Sequence, residues 1–461
     1  MNEELNHDLG IAEKGTVGRR VAANTGLMVG AKALAAMIGL ITLVITTQTL
    51  PIAAVGIIMF LHAYMLFFAE VATFQSWQAV IRFGTHDVEA GNTNALGRLL
   101  RFCIALDFVG AMVAFVLAIG GLYFLDVILP LLPSFQQQDG LFDTHRLTEY
   151  GILYCLLVLV HQGGASTGLF RLFDKFKPLA VQVLVMPIVR LGGVILAALY
   201  GASLEGFLFA WFVGSLLGYL SLPLLAILEL KSRNLLKTVF SAWPRLKTRH
   251  EGMWPFVWKA NIDASLATGT THLPLLLVMP IFGPAFVGAY KVAEEIARLL
   301  SEAVLLLDRV IYPEYARMMA RGQSAHIWRI VIKAGAVMLG GGLALSAIVA
   351  LIGPYLIPAV FGLDYIDAVP LSILLVLAAA LMGVAAPLYP VFFAAGNPGR
   401  AIFARLAGLV LYVVLVFALS AWLGTTGIGK TGPGWAAIGG NLLAVILAAW
   451  LAKRTLKAKH D

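Results

Sequence analysis

Apolar segments of about 20 residues recur along nearly the whole chain, and each is long enough to cross the roughly 30 Å hydrocarbon layer of a membrane. Inside lipid, the backbone polar groups of a segment must be satisfied within it, so runs of this length are predicted to be helices. We place about twelve spans, at 21–46, 52–80, 100–125, 150–170, 179–200, 204–228, 254–280, 285–308, 328–352, 368–394, 401–423 and 434–452.

The composition matches a chain with little polar surface. Of 461 residues, 60% are hydrophobic and 13% are charged, and the mean hydropathy is +0.87. A soluble chain carries about 25% charged residues, so the sequence predicts an all-α polytopic membrane protein. The net charge of +8 is scattered among apolar runs and forms no basic stripe, which argues against a nucleic-acid partner. Cys103 and Cys155 lack metal or redox spacing, so we expect no metal and no cofactor.

Lysine and arginine residues sort to one side of the predicted membrane. Of the 33, four lie deep inside spans and 27 lie in the tails, connections and span ends that face the cytoplasm when the N-terminus is placed there; only Arg146 and Lys430 fall outside. The outer connections carry acids instead, such as Asp126, Asp364 and Asp367. Because cytoplasmic loops are enriched in lysine and arginine, both termini are predicted to be cytoplasmic.

Segment 285–308 is the weakest of the predicted spans, because charged residues interrupt it. An amphipathic helix on the membrane surface would explain them as well. Removing this span would reverse every later segment, and Lys430 and the acidic 9–10 connection would then face the cytoplasm. We therefore retain it. Its charged residues are Lys291, Glu294, Glu295, Arg298 and Glu302.

The chain divides into two halves of six spans. The first span of each half is followed by a short uncharged turn, 50–56 or 282–288, that ends in Gly56 or Gly288. Six is an even number, so the halves would be parallel repeats related by a pseudo-twofold axis along the membrane normal. The predicted parts are a cytoplasmic tail (1–18), an N-terminal six-helix bundle (19–230), a basic cytoplasmic linker (231–253), a C-terminal six-helix bundle (254–452) and a second cytoplasmic tail (453–461).

Ionisable residues inside the first six spans are candidates for function, because a charge at the bilayer centre costs about 2.5–3.5 kcal/mol on insertion scales. Lys32 lies near the middle of span one, and His62 lies at a similar depth in span two. Glu70 is two turns nearer the cytoplasm, and Arg190 lies in mid-span five. We expect Lys32 to line a cavity. His62 could equally be a hydrogen-bonded packing residue, and Arg190 could bind phosphate or join helices.

The charges of span eight follow a helical spacing of +4, +3 and +4, which places Lys291, Glu295, Arg298 and Glu302 on one face. This face either lines a hydrated cavity or forms a self-neutralising ladder of i,i+3 and i,i+4 pairs, and both can hold together.

Span seven repeats that spacing with uncharged polar groups and a histidine, while Asp263 lies off the polar face. Hydrogen bonding between helices would explain such a face equally well. Asp107 and His161, which also lie inside spans, are predicted to be structural. The polar face of span seven consists of Asn261, Ser265, Thr268 and His272.

Several of these features together resemble a known family. They are the basic N-terminus, Asn24 early in span one, the short outer turn before Gly56, the sequence Gln-Ala-Val-Ile-Arg-Phe at 78–83 and Gly-Leu-Phe-Arg at 168–171. The chain resembles the polysaccharide flippases (Wzx type) of the multidrug/oligosaccharidyl-lipid/polysaccharide exporter superfamily over almost its whole length. That resemblance implies two helix bundles around a central cavity in the bacterial inner membrane. It also implies transport of undecaprenyl-diphosphate-linked oligosaccharide for surface polysaccharide, with membrane lipids and possible polymerase and chain-length proteins as partners.

A diphosphate substrate would need basic counter-charges and hydrogen-bond donors. The predicted cavity residues are Lys32, His62, Arg190, Lys291 and Arg298. The span interiors nevertheless hold more acids than bases, so the phosphate site must be local or some acids must be protonated. Protonation would suit coupling to an ion gradient, because desolvation favours the neutral carboxyl group. The predicted coupling residues are Glu70, Asp263, Glu295 and Glu302.

Two other functions are also compatible with the sequence. One is small-molecule antiport in the multidrug branch of the same superfamily, although that branch typically has an acid in span one and 21–46 contains none. The other is a membrane-embedded glycosyltransferase or polymerase, for which the longest outer connection, 126–149, is too short to hold a catalytic domain. No ATP-binding, zinc or nucleophile motif is present, so we expect a transporter rather than an enzyme.

Overall fold

A computed structural model describes residues 17–72, 74, 76–131, 144–240, 252–320, 324–395 and 397–457. Within these ranges, the side chains of 17–22, 72, 144, 255, 259–260, 262–264, 266–270, 301–314, 316–317, 319–320, 324–325 and 398 are not described. The described backbone contains α-helices and short 3-10 turns, and no strand. The all-α class predicted from the sequence is confirmed.

The helices of the first half have these bounds: α1 (Val17–Thr49), α2 (Ile52–Ala72), α3 (Ser76–Glu89), α4 (Thr93–Ile128), α5 (Thr144–Val160), α6 (Gly164–Leu172), α7 (Phe176–Leu199), α8 (Leu204–Ser232) and the short α9 (Leu236–Phe240). Those of the second half are α10 (Met253–Phe282), α11 (Pro284–Ala320), α12 (Ser324–Phe361), α13 (Ala368–Ala385), α14 (Tyr389–Ala394), α15 (Pro398–Leu423) and α16 (Gly432–Lys457).

Each predicted span falls on a helix or on a pair of consecutive helices. In the described part of the chain, ten helical segments are long and apolar enough to cross a membrane. Spans seven and eight correspond to α10 and α11, which are not among the ten. These two helices have 30 and 37 residues, and at about 1.5 Å per residue both exceed the hydrocarbon thickness.

Three spans that the sequence presents as continuous are interrupted in the structure. Span two is interrupted at Phe74, which lies in no helix, between α2 and α3, and span four breaks at 161–163 between α5 and α6. Span ten breaks at the 3-10 turn Ala386–Leu388, which contains Pro387 and separates α13 from α14. A break leaves backbone N–H and C=O groups without helical partners. Inside a membrane, these groups must form hydrogen bonds with other parts of the protein or with water in a cavity.

Large apolar side chains cover much of the described surface. Val116 is 67% exposed, Leu196 is 56% exposed and Leu351 is 74% exposed. Apolar exposure on this scale is unfavourable in water, whereas lipid accepts it. Helices in lipid associate by close packing of small residues rather than by hydrophobic burial.

The described helices group into two compact units. The first contains Met1–Leu50, Leu61–Ile128 and Phe142–His272, and the second contains Pro51–Phe60, Leu129–Leu141 and Leu273–Asp461. In the first unit, α7 packs on α8 and α1, while α4 packs on α3, α5, α6 and α9. Arg101 of α4 donates to the carbonyls of Thr238 and Val239, each at 2.6 Å, and so holds α9 in place.

In the second unit, α13 packs on α11, α12 and α16, and α15 packs on α16. The starts of α2 and α11 cross within this unit. A Cβ added to Gly56 would lie 1.8 Å from the Pro284 carbonyl oxygen, and one added to Gly288 would lie 2.6 Å from the Ile52 carbonyl oxygen. Ile52 lies four residues before Gly56, and Pro284 lies four residues before Gly288, so the contact is reciprocal. The residues that meet here are the ones that correspond when the two outer turns are aligned in the sequence.

Candidate functional site

Arg190 is positioned by a close approach of α7 and α8. Gly214 and Gly218 stand one turn apart on α8, in the small-xxx-small spacing that lets helix backbones meet. An added Cβ on Gly214 would lie 2.9 Å from the Arg190 Cβ, and one on Gly218 would lie 2.5 Å from the Met186 Cβ. The backbone of Arg190 therefore lies directly over α8, and its side chain reaches the residues on either side of Gly214.

The Arg190 guanidinium has an aromatic face beneath it and one strong hydrogen bond. Its Cζ lies 3.9 Å from the centroid of the Trp211 ring, and its Nη2 donates to the Ser215 hydroxyl at 2.8 Å. The Arg190 Nε is buried and has no acceptor in the described part of the chain. No carboxylate in that part pairs with this arginine, although a cation that is partly withdrawn from water is normally paired with one.

Aromatic and hydroxyl groups surround this arginine. His62 Nδ1 lies 3.1 Å from the Tyr154 hydroxyl, and the His62 ring meets Trp211 edge-on with centroids 5.2 Å apart. The Tyr154 and Tyr219 hydroxyls both approach Ser215. Trp211 is 7% exposed, and among the described residues its indole N–H has no acceptor. We call this set the Arg190 cluster: His62, Tyr154, Arg190, Trp211, Ser215 and Tyr219.

A second group of polar residues lies where α2 ends. Glu70 Oε2 is 3.4 Å from His272 Nε2, and both side chains are partly exposed. Ser265 donates to the carbonyl of Val71 at 2.7 Å. His161, at the break in span four, packs edge-on against Tyr219 with centroids 4.5 Å apart and interacts electrostatically with Glu70 and His272. The polar face predicted on span seven thus meets the predicted coupling residue Glu70.

Lys32 is exposed on α1, which packs against α7. Within the described part of the chain it forms no hydrogen bond or ion pair. Its predicted role in a cavity remains a prediction. The side chains of Asp263 and Glu302 lie outside the described residues, so their predicted roles in coupling also remain predictions.

The charges of α11 form the self-neutralising ladder that the sequence left open. Lys291 Nζ lies 2.6 Å from Glu294 and 3.9 Å from Glu295, and Arg298 pairs with the other side of Glu295. Glu294 is the nearest partner of Lys291 and lies three residues after it. The face predicted from the sequence follows Lys291 by four residues, to Glu295, and so does not include Glu294. Both basic residues predicted to bind substrate on this helix therefore have carboxylate partners here.

Sequence reasoning identified His62 and Arg190 separately but not the residues that join them. Trp211, Ser215 and Tyr219 follow one another at four-residue spacing on α8 and so share a face. That face was readable from the sequence. Its meeting with Arg190 was not, because it depends on how α7 and α8 pack.

Comparison with known proteins establishes the fold. No family model matches the chain. The inner membrane protein YghQ of Escherichia coli (strain K12) is 28% identical over 351 residues, which cover 76% of this chain and 95% of that protein. An inward-facing multidrug resistance MATE family transporter of the MOP superfamily aligns with a TM-score of 0.71 and 14% identity, covering 92% of this chain and 95% of its own. The lipid II flippase MurJ, in an inward closed conformation, aligns with a TM-score of 0.66 and 12% identity, covering 94% and 90%.

Proposed function

We propose that this chain is a flippase that moves undecaprenyl-diphosphate-linked oligosaccharide across the bacterial inner membrane for surface polysaccharide synthesis. Similarity to a protein named for the inner membrane supports that location. The fold is one that both the lipid II flippase and MATE transporters use. Fold alone does not choose between their substrates, so the choice depends on the chemistry of the Arg190 cluster.

The observation that carries the proposal is a partly buried arginine, with a buried Nε, that has no carboxylate partner among the described residues. Arg190 Nε and Trp211 Nε1 are two N–H donors in one cluster, and neither has an acceptor among the described residues. A diphosphate supplies acceptor oxygens and negative charge together, and the planar fork of arginine matches that geometry. A cationic drug would supply neither, and it would be repelled by the same guanidinium.

The aromatic groups suit the rest of such a substrate. Trp211 and Tyr154 present apolar faces with polar tips, a combination that accommodates both an isoprenoid chain and a hydroxyl-rich sugar. Tyr154, Ser215 and Tyr219 add hydroxyl groups that can both donate and accept. In this proposal Arg190 binds the diphosphate, while Lys32, Lys291 and Arg298 attract it at other stages of transport. Partnership with a polysaccharide polymerase and chain-length proteins is part of the same proposal.

Binding of undecaprenyl diphosphate to the purified full-length protein in lipid nanodiscs tests the proposal. Arg190→Gln should weaken binding about tenfold to a hundredfold, equivalent to about 1.4–2.8 kcal/mol. The affinity of Arg190→Lys should lie between those of wild type and Arg190→Gln, because lysine keeps the positive charge but lacks the planar set of N–H donors of the guanidinium. Arg405 is a matched control, since its Cζ lies 4.2 Å from the Tyr389 ring centroid; Arg405→Gln should bind like wild type.

The same variants separate the flippase from the antiporter. A lipophilic organic cation such as ethidium should bind weakly to the wild type. If ethidium binds more tightly than the diphosphate lipid, and Arg190→Gln tightens it further, the chain is a multidrug transporter. Unchanged diphosphate binding by Arg190→Gln would remove the Arg190 cluster from substrate recognition.

A further inference from the structure

Asp107 lies where two interrupted helices meet. Its Oδ2 accepts from the hydroxyl of Ser76 at 2.8 Å and from the backbone N–H of Ala165 at 2.9 Å. Ser76 is the first residue of α3 after the break in span two, and Ala165 is the second residue of α6 after the break in span four. One carboxyl oxygen on α4 therefore holds the starts of two half-helices.

The junction between these half-helices is tight. An added Cβ on Gly164 would lie 2.2 Å from the Ser76 hydroxyl oxygen and 2.9 Å from Asp107 Oδ2. Four residues later, a Cβ on Gly168 would lie 2.6 Å from the Val80 Cβ, so α3 and α6 remain close along their length. We call the meeting of Ser76, Asp107 and Gly164–Ala165 the Asp107 joint.

The other oxygen of Asp107 has no partner among the described residues. Asp107 is 5% exposed, and in the described part of the chain its Oδ1 is buried without a donor. Two helix starts contribute partial positive charge, yet no full cation among the described residues pairs with this carboxyl group. An ionised carboxylate in this place would leave a charged oxygen unsolvated, at a cost of several kcal/mol. A proton on Asp107 removes that charge and preserves both hydrogen bonds to Oδ2.

No charged side chain in the described part of the chain forms an ion pair with Asp107. The Cys103 thiol lies one turn earlier on α4 and interacts electrostatically with Asp107. Arg82 of α3 and Arg171 of α6 stack on Phe256 and Trp77, with cation-to-centroid distances of 4.5 and 4.4 Å. Of the other groups on helices around α4, Tyr154 of α5 contacts His62, Glu70 of α2 pairs with His272, and Lys237 lies on α9.

We propose that Asp107 is a proton-binding site whose occupancy is linked to closure of the Asp107 joint. The protonated carboxyl group fits the closed joint, with Oδ2 accepting from α3 and α6. Loss of the proton creates a charge that water must solvate, and water can reach it only if the two half-helices separate. Acid therefore favours the closed joint, and rising pH favours the open one. No other protein or lipid is needed for this linkage.

Infrared difference spectroscopy of the full-length protein in lipid nanodiscs tests proton binding directly. A protonated carboxyl group has a C=O stretch distinct from that of a carboxylate. We expect such a band at low pH, its loss as pH rises, and its absence in Asp107→Asn. Asp87→Asn is the control, because Asp87 is also 5% exposed but lies at the far end of α3. A band that survives in Asp107→Asn, or that is missing from the wild type throughout the titration, overturns the proposal.

Hydrogen exchange tests the linkage to closure. In wild type, after correction for intrinsic exchange, protection of 76–84 and 164–172 should fall as pH rises. Asp107→Asn should remain protected throughout, because the amide oxygen can still accept from Ser76 and Ala165. Equal pH dependence in both proteins would overturn the linkage. If Asp107→Asn does not fold, Ser76→Ala retains the acid and removes one donor to its C=O group. The Asp107 band should then shift to higher frequency, and an unshifted band refutes the assignment.

Discussion

Replacing Gly56 by alanine places a methyl group where two helix starts cross. The new Cβ would lie 1.8 Å from the Pro284 carbonyl oxygen, and this backbone atom cannot rotate away as a flexible side chain could. Restoring an ordinary contact of 3.4 Å requires α2 and α11 to move apart by about 1.6 Å. Overpacking of this kind costs about 1–3 kcal/mol, and alanine returns up to about 1 kcal/mol of helix propensity. A 1.8 Å contact with a backbone atom belongs at the upper end of that cost, so the expected net loss is about 2 kcal/mol.

Two comparison variants give the expected order of stability. Gly288→Ala places its Cβ 2.6 Å from the Ile52 carbonyl oxygen, so the helices need to move apart by a smaller distance. The loss of unfolding free energy should be below about 1 kcal/mol. Gly30→Ala on α1 meets nothing within 4 Å and should be neutral or slightly stabilising. The measurement is the free energy of unfolding on titration with a denaturing detergent in mixed micelles.

The double variant provides a sharper test of the crossing. A separation of about 1.6 Å, enough to accommodate Gly56→Ala, already exceeds what Gly288→Ala needs. The second substitution should therefore cost little once the first is present, and the two losses should not add. Fully additive losses, or a Gly56→Ala variant as stable as Gly30→Ala, would show that the helices do not cross as the structure has them.

Two further predictions concern orientation and charge. Reporter fusions at 85–95, 235–250 and the C-terminus should be cytoplasmic, and those at 132–145 and 360–367 external; an external C-terminus would invalidate both the span count and the repeat. Lys32→Ala should reduce transport of undecaprenyl-diphosphate-linked sugar more than Lys32→Arg, and Arg298→Ala should also reduce it because it leaves Glu295 with one fewer cation. Normal transport by both alanine variants at native abundance would exclude these residues from the mechanism.

The sequence predicted the spans because hydropathy accumulates over 20 residues and tolerates local exceptions. The interruptions at Phe74 and at 161–163 were missed for the same reason: an interruption of a few residues barely changes such an average. Pro387 does mark the break in span ten, but proline also occurs inside continuous helices here, as Pro187 does in α7. A proline alone therefore does not predict a break.

The site was predicted in pieces. His62 and Arg190 were recognisable because charged or titratable groups are expensive in lipid. Their common neighbour Trp211 carries no such signal, since an aromatic residue in a span is ordinary. Asp107 was predicted to be structural, and its contacts with Ser76 and Ala165 depend on two breaks that hydropathy does not detect. In α11, the predicted polar face paired Lys291 with Glu295, four residues later, and left out Glu294. In the structure Lys291 lies closer to Glu294 than to Glu295.

The reciprocal crossing of Gly56 and Gly288 has the form of a contact across the twofold axis of a homodimer, where one patch meets its own copy. In such a dimer a single substitution is present twice, and both halves of the contact change together. In one continuous chain each half is encoded separately, so Ile52 and Pro284 can differ while both glycines keep the backbones close. Because the two halves belong to one chain, a residue on one helix of the crossing can change while its counterpart on the other helix stays the same. Two identical subunits cannot change in this way.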